Sequence, residues 1–268
     1  MTPVAAAPVA LVTGAARGIG AASAARLAAD GWRLVLVDRC ADLPGIGYAM
    51  ARREDLEATV IRCGGPEHAV GVVADTREPA TLAGAVATAR ERFGGLDAAV
   101  AAAGCIAGGP PAWETTAEVW EQVLSVNLEG VWRLATATVP ALLERPAPRA
   151  GRFVAVGSAA GLVGHDRLAA YCAAKAGVIG LVRALAAELG PHGVTANCVA
   201  PGSTATAMLD ASAGVYGIAD PEELSVHHML GRLLAPEEPA ALVAWLCSPE
   251  AGGLTGAVLP VDAGMTAR

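Results

Sequence analysis

Val9-Ala10-Leu11-Val12-Thr13 runs directly into Gly14-Ala15-Ala16-Arg17-Gly18-Ile19-Gly20, and then into an alanine-rich stretch that ends at Ala29. Five apolar or β-branched residues read as a buried strand, the glycines as a tight turn, and the Ala-rich run from Gly18 as a helix. Such a turn lets backbone approach a pyrophosphate closely, and unpaired N–H groups at the helix start present partial positive charge to it. The spacing is G-x-x-x-G-x-G, which is neither G-x-G-x-x-G nor a Walker A loop. Taken alone, an ordinary strand-to-helix turn explains it equally well. The second apolar run ends in Asp38, an acid about 20 residues past the loop and placed to accept both ribose hydroxyls of an adenosine. A 2′-phosphate would be repelled there, which favours NAD(H) over NADP(H). Arg39, next in sequence, is an opposing charge that would attract that phosphate.

Working outward, short apolar runs recur at Arg33–Val37, Val70–Ala74, Ala98–Ala102, Arg152–Val156, Thr195–Val199 and Gly256–Val261. Helix-period stretches lie between them, among them Pro79–Arg92, Leu124–Val139 and Tyr171–Leu189. Alternating strands and helices predict an α/β chain with a parallel sheet, and uninterrupted apolar strands predict burial on both faces. The fold class expected is a Rossmann-type doubly wound parallel sheet of about seven strands with helices on both faces, forming one domain over residues 1–268. Two stretches break the rhythm, Arg39 to about Gly65 and Ser203 to about Pro236, and loops beyond strand ends commonly grip ligands.

Composition narrows the function classes. The 268 residues are 54% hydrophobic and 17% charged, with 32 glycines, which fits a packed enzyme-like core. A net charge of −7 without any Lys/Arg run argues against nucleic acid or an anionic membrane as partner. The six cysteines show no C-x-x-C pair or zinc spacing, so reduced thiols, no metal and a cytoplasmic location are expected. Met1–Pro8 lacks a basic n-region and no anchor is visible.

Tyr171-Cys172-Ala173-Ala174-Lys175 sets a phenol and an ammonium four residues apart, on one face of a helix. A phenol near pKa 10 is a poor base at neutral pH, and a neighbouring cation lowers that value by stabilising the phenolate. A helical Tyr beside a Lys is also a common surface pairing. Ser158, thirteen residues earlier in Val156-Gly157-Ser158-Ala159-Ala160-Gly161, places a hydroxyl after the fifth strand. Asn127 stands in Val126-Asn127-Leu128.

With these residues the chain resembles the short-chain dehydrogenase/reductase family over almost its whole length. Thr13-Gly14-x-x-x-Gly18-x-Gly20 is similar to the family's cofactor loop, which includes Arg17 and Ile19 here. Asp75, with Thr76 beside it, stands where the family contacts adenine. Ala101-Ala102-Ala103-Gly104 stands where the family has Asn-Asn-Ala-Gly; both asparagines are missing, which implies altered hydrogen bonding around a retained Gly104. The resemblance implies Tyr171 as acid/base, Lys175 as its activator, Ser158 as holder of the substrate oxygen and Asn127 as support for a proton path to the lysine. It further implies that Pro201-Gly202 turns beneath the nicotinamide with Thr204 and Thr206 nearby, their roles unassigned, and that the protein is a homotetramer. The reaction implied is metal-free interconversion of an alcohol and a carbonyl compound with NAD(H).

Two further expectations concern the irregular stretches. Residues 203–236, with Met208, Leu209, Tyr216, His228, Met229 and Leu230, read as a largely apolar substrate lid and favour a hydrophobic secondary alcohol. His165 is a loop histidine left outside the catalytic set. Between Asp38 and Asp75 the passage is roughly a dozen residues longer than short βα connections require. Its extra part, residues 40–55, resembles the insert of the mycofactocin-associated subgroup. In that subgroup the insert is thought to cover NAD(H) so that it does not exchange freely, and a peptide-derived electron carrier re-oxidises it in place. A neutral loop extension is the alternative. The missing asparagines also leave open a catalytically idle dinucleotide sensor or scaffold.

Overall fold

Seven strands pair in parallel in the order β3-β2-β1-β4-β5-β6-β7. They are β1 (Val9–Thr13), β2 (Arg33–Asp38), β3 (Ala69–Val73), β4 (Ala98–Ala101), β5 (Arg152–Val156), β6 (Thr195–Pro201) and β7 (Val258–Val261). The helices are α1 (Gly18–Ala29), α2 (Arg53–Arg62), α3 (Pro79–Phe93), α4 (Ala117–Leu124), α5 (Gly130–Glu144), α6 (Ala169–Leu189), α7 (Ala207–Tyr216) and α8 (Glu237–Cys247). This computed structural model describes residues 7–267, so the reading of the N-terminus as lacking a targeting segment falls largely outside the described residues.

The two-residue period of β1 builds two cores at once. Val9 and Leu11 pack with Leu82 of α3, Leu134 of α5 and Val182 of α6. Ala10 and Val12 pack on the opposite side with Ala24 and Leu27 of α1 and Val243 and Leu246 of α8. Each fully buried leucine or valine contributes about 1.5–3 kcal/mol, so both faces anchor the central strand strongly. Strand order reverses between β1 and β4, and that switch point opens a crevice at the carboxyl ends of the strands. All six cysteines are unpaired. One helical stretch, Ala169–His192, is long and apolar enough to cross a membrane. It is instead the helix whose Val178, Val182 and Leu189 pack on the sheet.

Two local features depart from expectation, and a third shows the altered hydrogen bonding expected near Gly104. Arg53–Arg62 is a helix where an irregular stretch is expected. Its first turn is nearly all charged and hides the apolar period, and only Leu56 and Thr59 are buried. Asp55 starts it by accepting the Arg52 N–H at 2.7 Å, so residues 40–55 end inside a helical turn rather than in a loop. The helix expected at Leu124–Val139 contains a π turn at Ser125–Glu129, and Asn127 sits within it. At the turn after β4, Thr13 Oγ1 accepts the N–H groups of Ala102 and Ala103 at 3.2 and 3.3 Å. That hydroxyl holds β4 to β1 without the two asparagines.

Candidate active site

A cavity of about 560 Å³ opens over the carboxyl ends of the strands. Of the expected residues, Gly14, Arg17, Gly18, Ile19, Gly20, Asp38, Gly104, Ser158, Tyr171, Lys175, Pro201, Gly202, Thr204 and Thr206 line it. Asn127, Asp75, Thr76 and Ala103 are not among the lining residues. Thr76 is buried, its hydroxyl close to the start of α5 at Gly130. Asp75 is held by Arg77 at 2.7 Å and by Arg39 at 3.0 Å. Burial pushes its pKa up, but hydrogen bonds from Arg77 and the charges of both arginines outweigh that and leave it below the ordinary carboxylate range.

The glycine end is a cradle without side chains. Gly14 has φ +66°, and a Cβ there would lie 2.7 Å from Ala103 Cα. A Cβ on Gly20 would lie 2.1 Å from the Gly14 carbonyl oxygen. The first N–H groups of α1 have no intrahelical acceptor and face this cradle, which fits a pyrophosphate. Asp38 Oδ2 accepts the Ala16 N–H and Oδ1 the Cys40 N–H, both at 3.1 Å, so its carboxylate is fixed beside the loop. Arg39, the opposing charge, is engaged by Asp75 and by the Ala41 carbonyl. A fixed anion without a free neighbouring cation fits a 2′-hydroxyl rather than a 2′-phosphate.

The stretch after Arg39 crosses this cradle. Tyr48 Oη accepts the Ile106 N–H at 3.3 Å, and Leu43 is buried against Cys105 and Val126. Arg17, inside the glycine loop, donates to Asp55 at 2.7 Å and to the Met50 carbonyl at 3.0 Å. The segment is thereby tied at both ends, and residues Tyr48 to Ala51 form one wall of the cavity.

At the other end Ser158 caps the turn Ala159–Gly161, its Oγ accepting the Ala160 N–H at 3.1 Å. Tyr171 and Lys175 lie a helical turn apart in α6, with Lys175 Nζ 5.6 Å from the Tyr171 ring centroid. Lys175 Nζ donates to the Val156 carbonyl at 2.9 Å. Burial pushes the Tyr171 hydroxyl up to about 12, and the Ser158 hydroxyl beside it works in the opposite direction. Burial lowers Lys175 to about 8. The expected depression of the tyrosine pKa by the lysine is therefore absent from the protein by itself: desolvation dominates both groups. Asn127 donates to the carbonyls of Cys105 and Val123 at 2.8 and 2.9 Å, and its Oδ1 accepts the Cys105 N–H at 3.3 Å. A Cβ on Gly104 would lie 2.9 Å from Asn127 Oδ1 and 3.8 Å from Lys175 Nζ, so a residue without a side chain separates the two.

The 203–236 segment returns on itself. Ala205 N–H meets the Leu234 carbonyl at 2.9 Å and Leu234 N–H the Ser203 carbonyl at 3.0 Å. Buried His228 closes the base: its Nε2 accepts the Ser203 N–H at 3.0 Å while Nδ1 lies 2.6 Å from the Arg232 carbonyl. Thr204 Oγ1 donates to Gly202, whereas the Thr206 methyl faces Gly18. His228→Ala leaves a donor and an acceptor unpaired, at about 1–3 kcal/mol. The urea midpoint should fall accordingly, and an unchanged midpoint would remove His228 from this role.

A family model described as enoyl-(acyl carrier protein) reductase matches residues 14–266. The chain is 38% identical over 266 residues to an uncharacterized NAD-dependent oxidoreductase of Mycobacterium tuberculosis, covering 96% of this chain and 94% of that one. It is 35% identical to the (-)-trans-carveol dehydrogenase of Rhodococcus erythropolis, covering 97% and 98%. The chain belongs to the short-chain dehydrogenase/reductase family. Its fold superposes on a carveol dehydrogenase from Mycobacterium avium in complex with NAD with TM-score 0.92 and 32% identity, over 98% and 99% of the two chains. This dehydrogenase/reductase is an oxidoreductase whose cofactor is NAD(H), in keeping with the fixed carboxylate of Asp38. Sequence reasoning missed His227, which also lines the cavity, and had no signal for the contact between Tyr48 and Ile106.

Proposed function

We propose that this short-chain dehydrogenase/reductase interconverts a hydrophobic secondary alcohol and its ketone, with Tyr171 as acid/base. The observation that carries the reading is the convergence of Ser158, Tyr171 and Lys175 on the cavity that also holds the glycine cradle and Asp38. Bound NAD(H) supplies the hydride acceptor or donor. Ser158 Oγ orients the substrate oxygen, and Tyr171 Oη exchanges its proton. The neutral phenol is an acid as it stands, ready to protonate a carbonyl. To take a proton from an alcohol it needs the Lys175 cation to stabilise the phenolate. Asn127 and Gly104 keep the space beside Lys175 in shape. Asp38 would hold the adenosine ribose, Asp75 and Thr76 would act near adenine from outside the cavity lining, Ala103 would support the turn, and Pro201, Gly202, Thr204 and Thr206 would hold the nicotinamide half, with the Pro201-Gly202 turn beneath it. Residues 203–236 act as the substrate lid. An alcohol panel with NAD⁺, and separately with an artificial electron acceptor, tests the reading; no turnover with either overturns it.

Residues 40–55 cover the cofactor and slow its exchange, in support of re-oxidation in place by a mycofactocin-type carrier. The ties from Arg17 to Met50 and Asp55 and from Tyr48 to Ile106 support this. Protein purified without added cofactor should carry dinucleotide, detected by absorbance and mass. Arg17→Ala should speed its release by about tenfold, as loss of about 1.5 kcal/mol from a charge-assisted contact implies. Millisecond exchange in the unaltered protein would sink this part. The protein acts as a homotetramer in the cytoplasm; Trp120 and Trp132, 41% and 53% exposed on α4 and α5, are apolar surface suited to a second copy. Light scattering should give four times the chain mass.

A further inference from the structure

Histidines at the lid end of the cavity differ in how their rings are engaged. Both ring nitrogens of His228 have partners. Among the described residues, nothing hydrogen-bonds the rings of His165 or His227, although both line the cavity. His165 is engaged through its carbonyl, which accepts from the Cys172 thiol at 3.8 Å. The two rings come from separate elements: His165 from the loop ahead of α6, His227 from the end of the turn Pro221–His227. Leu168, Met208, Leu209 and Leu224 supply apolar wall to the same cavity.

The electrostatics of this end are unbalanced. Burial, and after it the His227 imidazole, lower the His165 pKa, while Asp166 raises it by less. At pH 7 the His165 ring is therefore neutral and offers an N–H. Asp166 lines the same cavity, its carboxylate 82% exposed and 3.9 Å from Arg167. The Tyr216 hydroxyl donates to the Asp166 carbonyl at 3.1 Å. Two imidazole donors thus line the cavity, and among the described residues neither ring has a hydrogen-bond acceptor. A carbonyl oxygen would satisfy one of them, whereas a carboxylate has two oxygens, one for each ring, and its charge strengthens both contacts.

We propose that His165 and His227 form a subsite for a carboxylate borne by the substrate at the end away from its reacting carbon. The substrate is then an apolar-bodied hydroxy acid or its keto acid. This rests on Tyr171 marking the reacting end of the cavity.

Three matched substrates test it: a secondary alcohol, the same alcohol with a terminal carboxylate, and the methyl ester of that acid. The wild-type protein should prefer the carboxylate over both neutral forms by about tenfold or more in kcat/KM, the scale of one charge-assisted contact. His165→Ala and His227→Ala should each erase most of that preference and leave turnover of the neutral alcohol within about twofold. His227 is exposed, so its variant tests the subsite even if His165→Ala fails to fold. Calorimetry with the saturated acid lacking the hydroxyl reads the subsite independently of turnover. Neutral alcohols oxidised with no gain from the carboxylate, or a gain that survives both variants, overturns the subsite. Binding of the acid that both variants abolish, with no alcohol turned over, upholds the subsite and overturns the dehydrogenase reading instead.

Discussion

Tyr171→Phe should lower kcat by about a thousandfold or more while the dissociation constant for NAD(H) stays within about twofold. The substitution removes one hydroxyl from a side chain that is 8% exposed, and the Ser158 hydroxyl beside it keeps the Ala160 N–H as a partner. The ring continues to pack against Ile106, Ala160 and Leu168, so the fold should be unaffected. The loss is then chemical: without the hydroxyl, the substrate oxygen has Ser158 to hold it but nothing to exchange a proton with. Steady-state rates on the best alcohol, alongside cofactor titration by fluorescence, separate the two effects. Near-normal turnover would take Tyr171 out of the mechanism. A matching loss of cofactor affinity would make it a packing residue. The pKa of about 12 adds a direction to the expectation. A hydroxyl that burial keeps protonated is already competent as an acid, so carbonyl reduction has its proton in place, whereas alcohol oxidation must first pay for the phenolate.

The sheet was legible because each strand is a local property. Buried parallel strands are apolar on both faces, and β1, β5 and α1 begin and end where the residue pattern places them. That Ser158, Tyr171 and Lys175 meet at one cavity was legible for a related reason: Tyr171 and Lys175 share one helix, and Ser158 follows directly on a strand end. What stayed hidden depends on residues far apart in sequence meeting across the fold. Arg39 reads as a phosphate-seeking cation until Asp75, on the next crossover, is found to hold it. Tyr48 reads as a loop aromatic, and its partner is a backbone N–H just past β4. His227 has no periodic or motif signal, yet it meets the cavity because the 203–236 segment folds back through Thr204 and Leu234. The helix α2 was hidden for a different reason, since its cap is an arginine backbone held by Asp55 and its first turn carries almost no apolar residue.

Gly20→Ala sets two opposing effects against each other, and their sizes decide the outcome. Inside a helix, alanine is favoured over glycine by about 1 kcal/mol. At Gly84 in α3, where an added Cβ would meet nothing within 4 Å, that gain should appear and the protein should be modestly stabilised. At Gly20 the added Cβ would stand 2.1 Å from the Gly14 carbonyl oxygen and 2.7 Å from its carbon. Those atoms are backbone and cannot rotate aside. The contact must be relieved by moving α1 away from the β1 turn, and overpacking of this kind costs roughly 3 kcal/mol or more, which outweighs the propensity gain. The same displacement carries the N-terminus of α1 and Arg17 with it. Cofactor affinity should fall by about a hundredfold, because the pyrophosphate cradle and the tie to residues 49–55 are set by the same turn. Paired urea melts of the Gly20→Ala and Gly84→Ala variants, each with and without NAD⁺, read both terms. A Gly20→Ala protein that melts like Gly84→Ala and still gains stability from NAD⁺ would mean that the close approach of α1 to the turn is not what shapes the cradle.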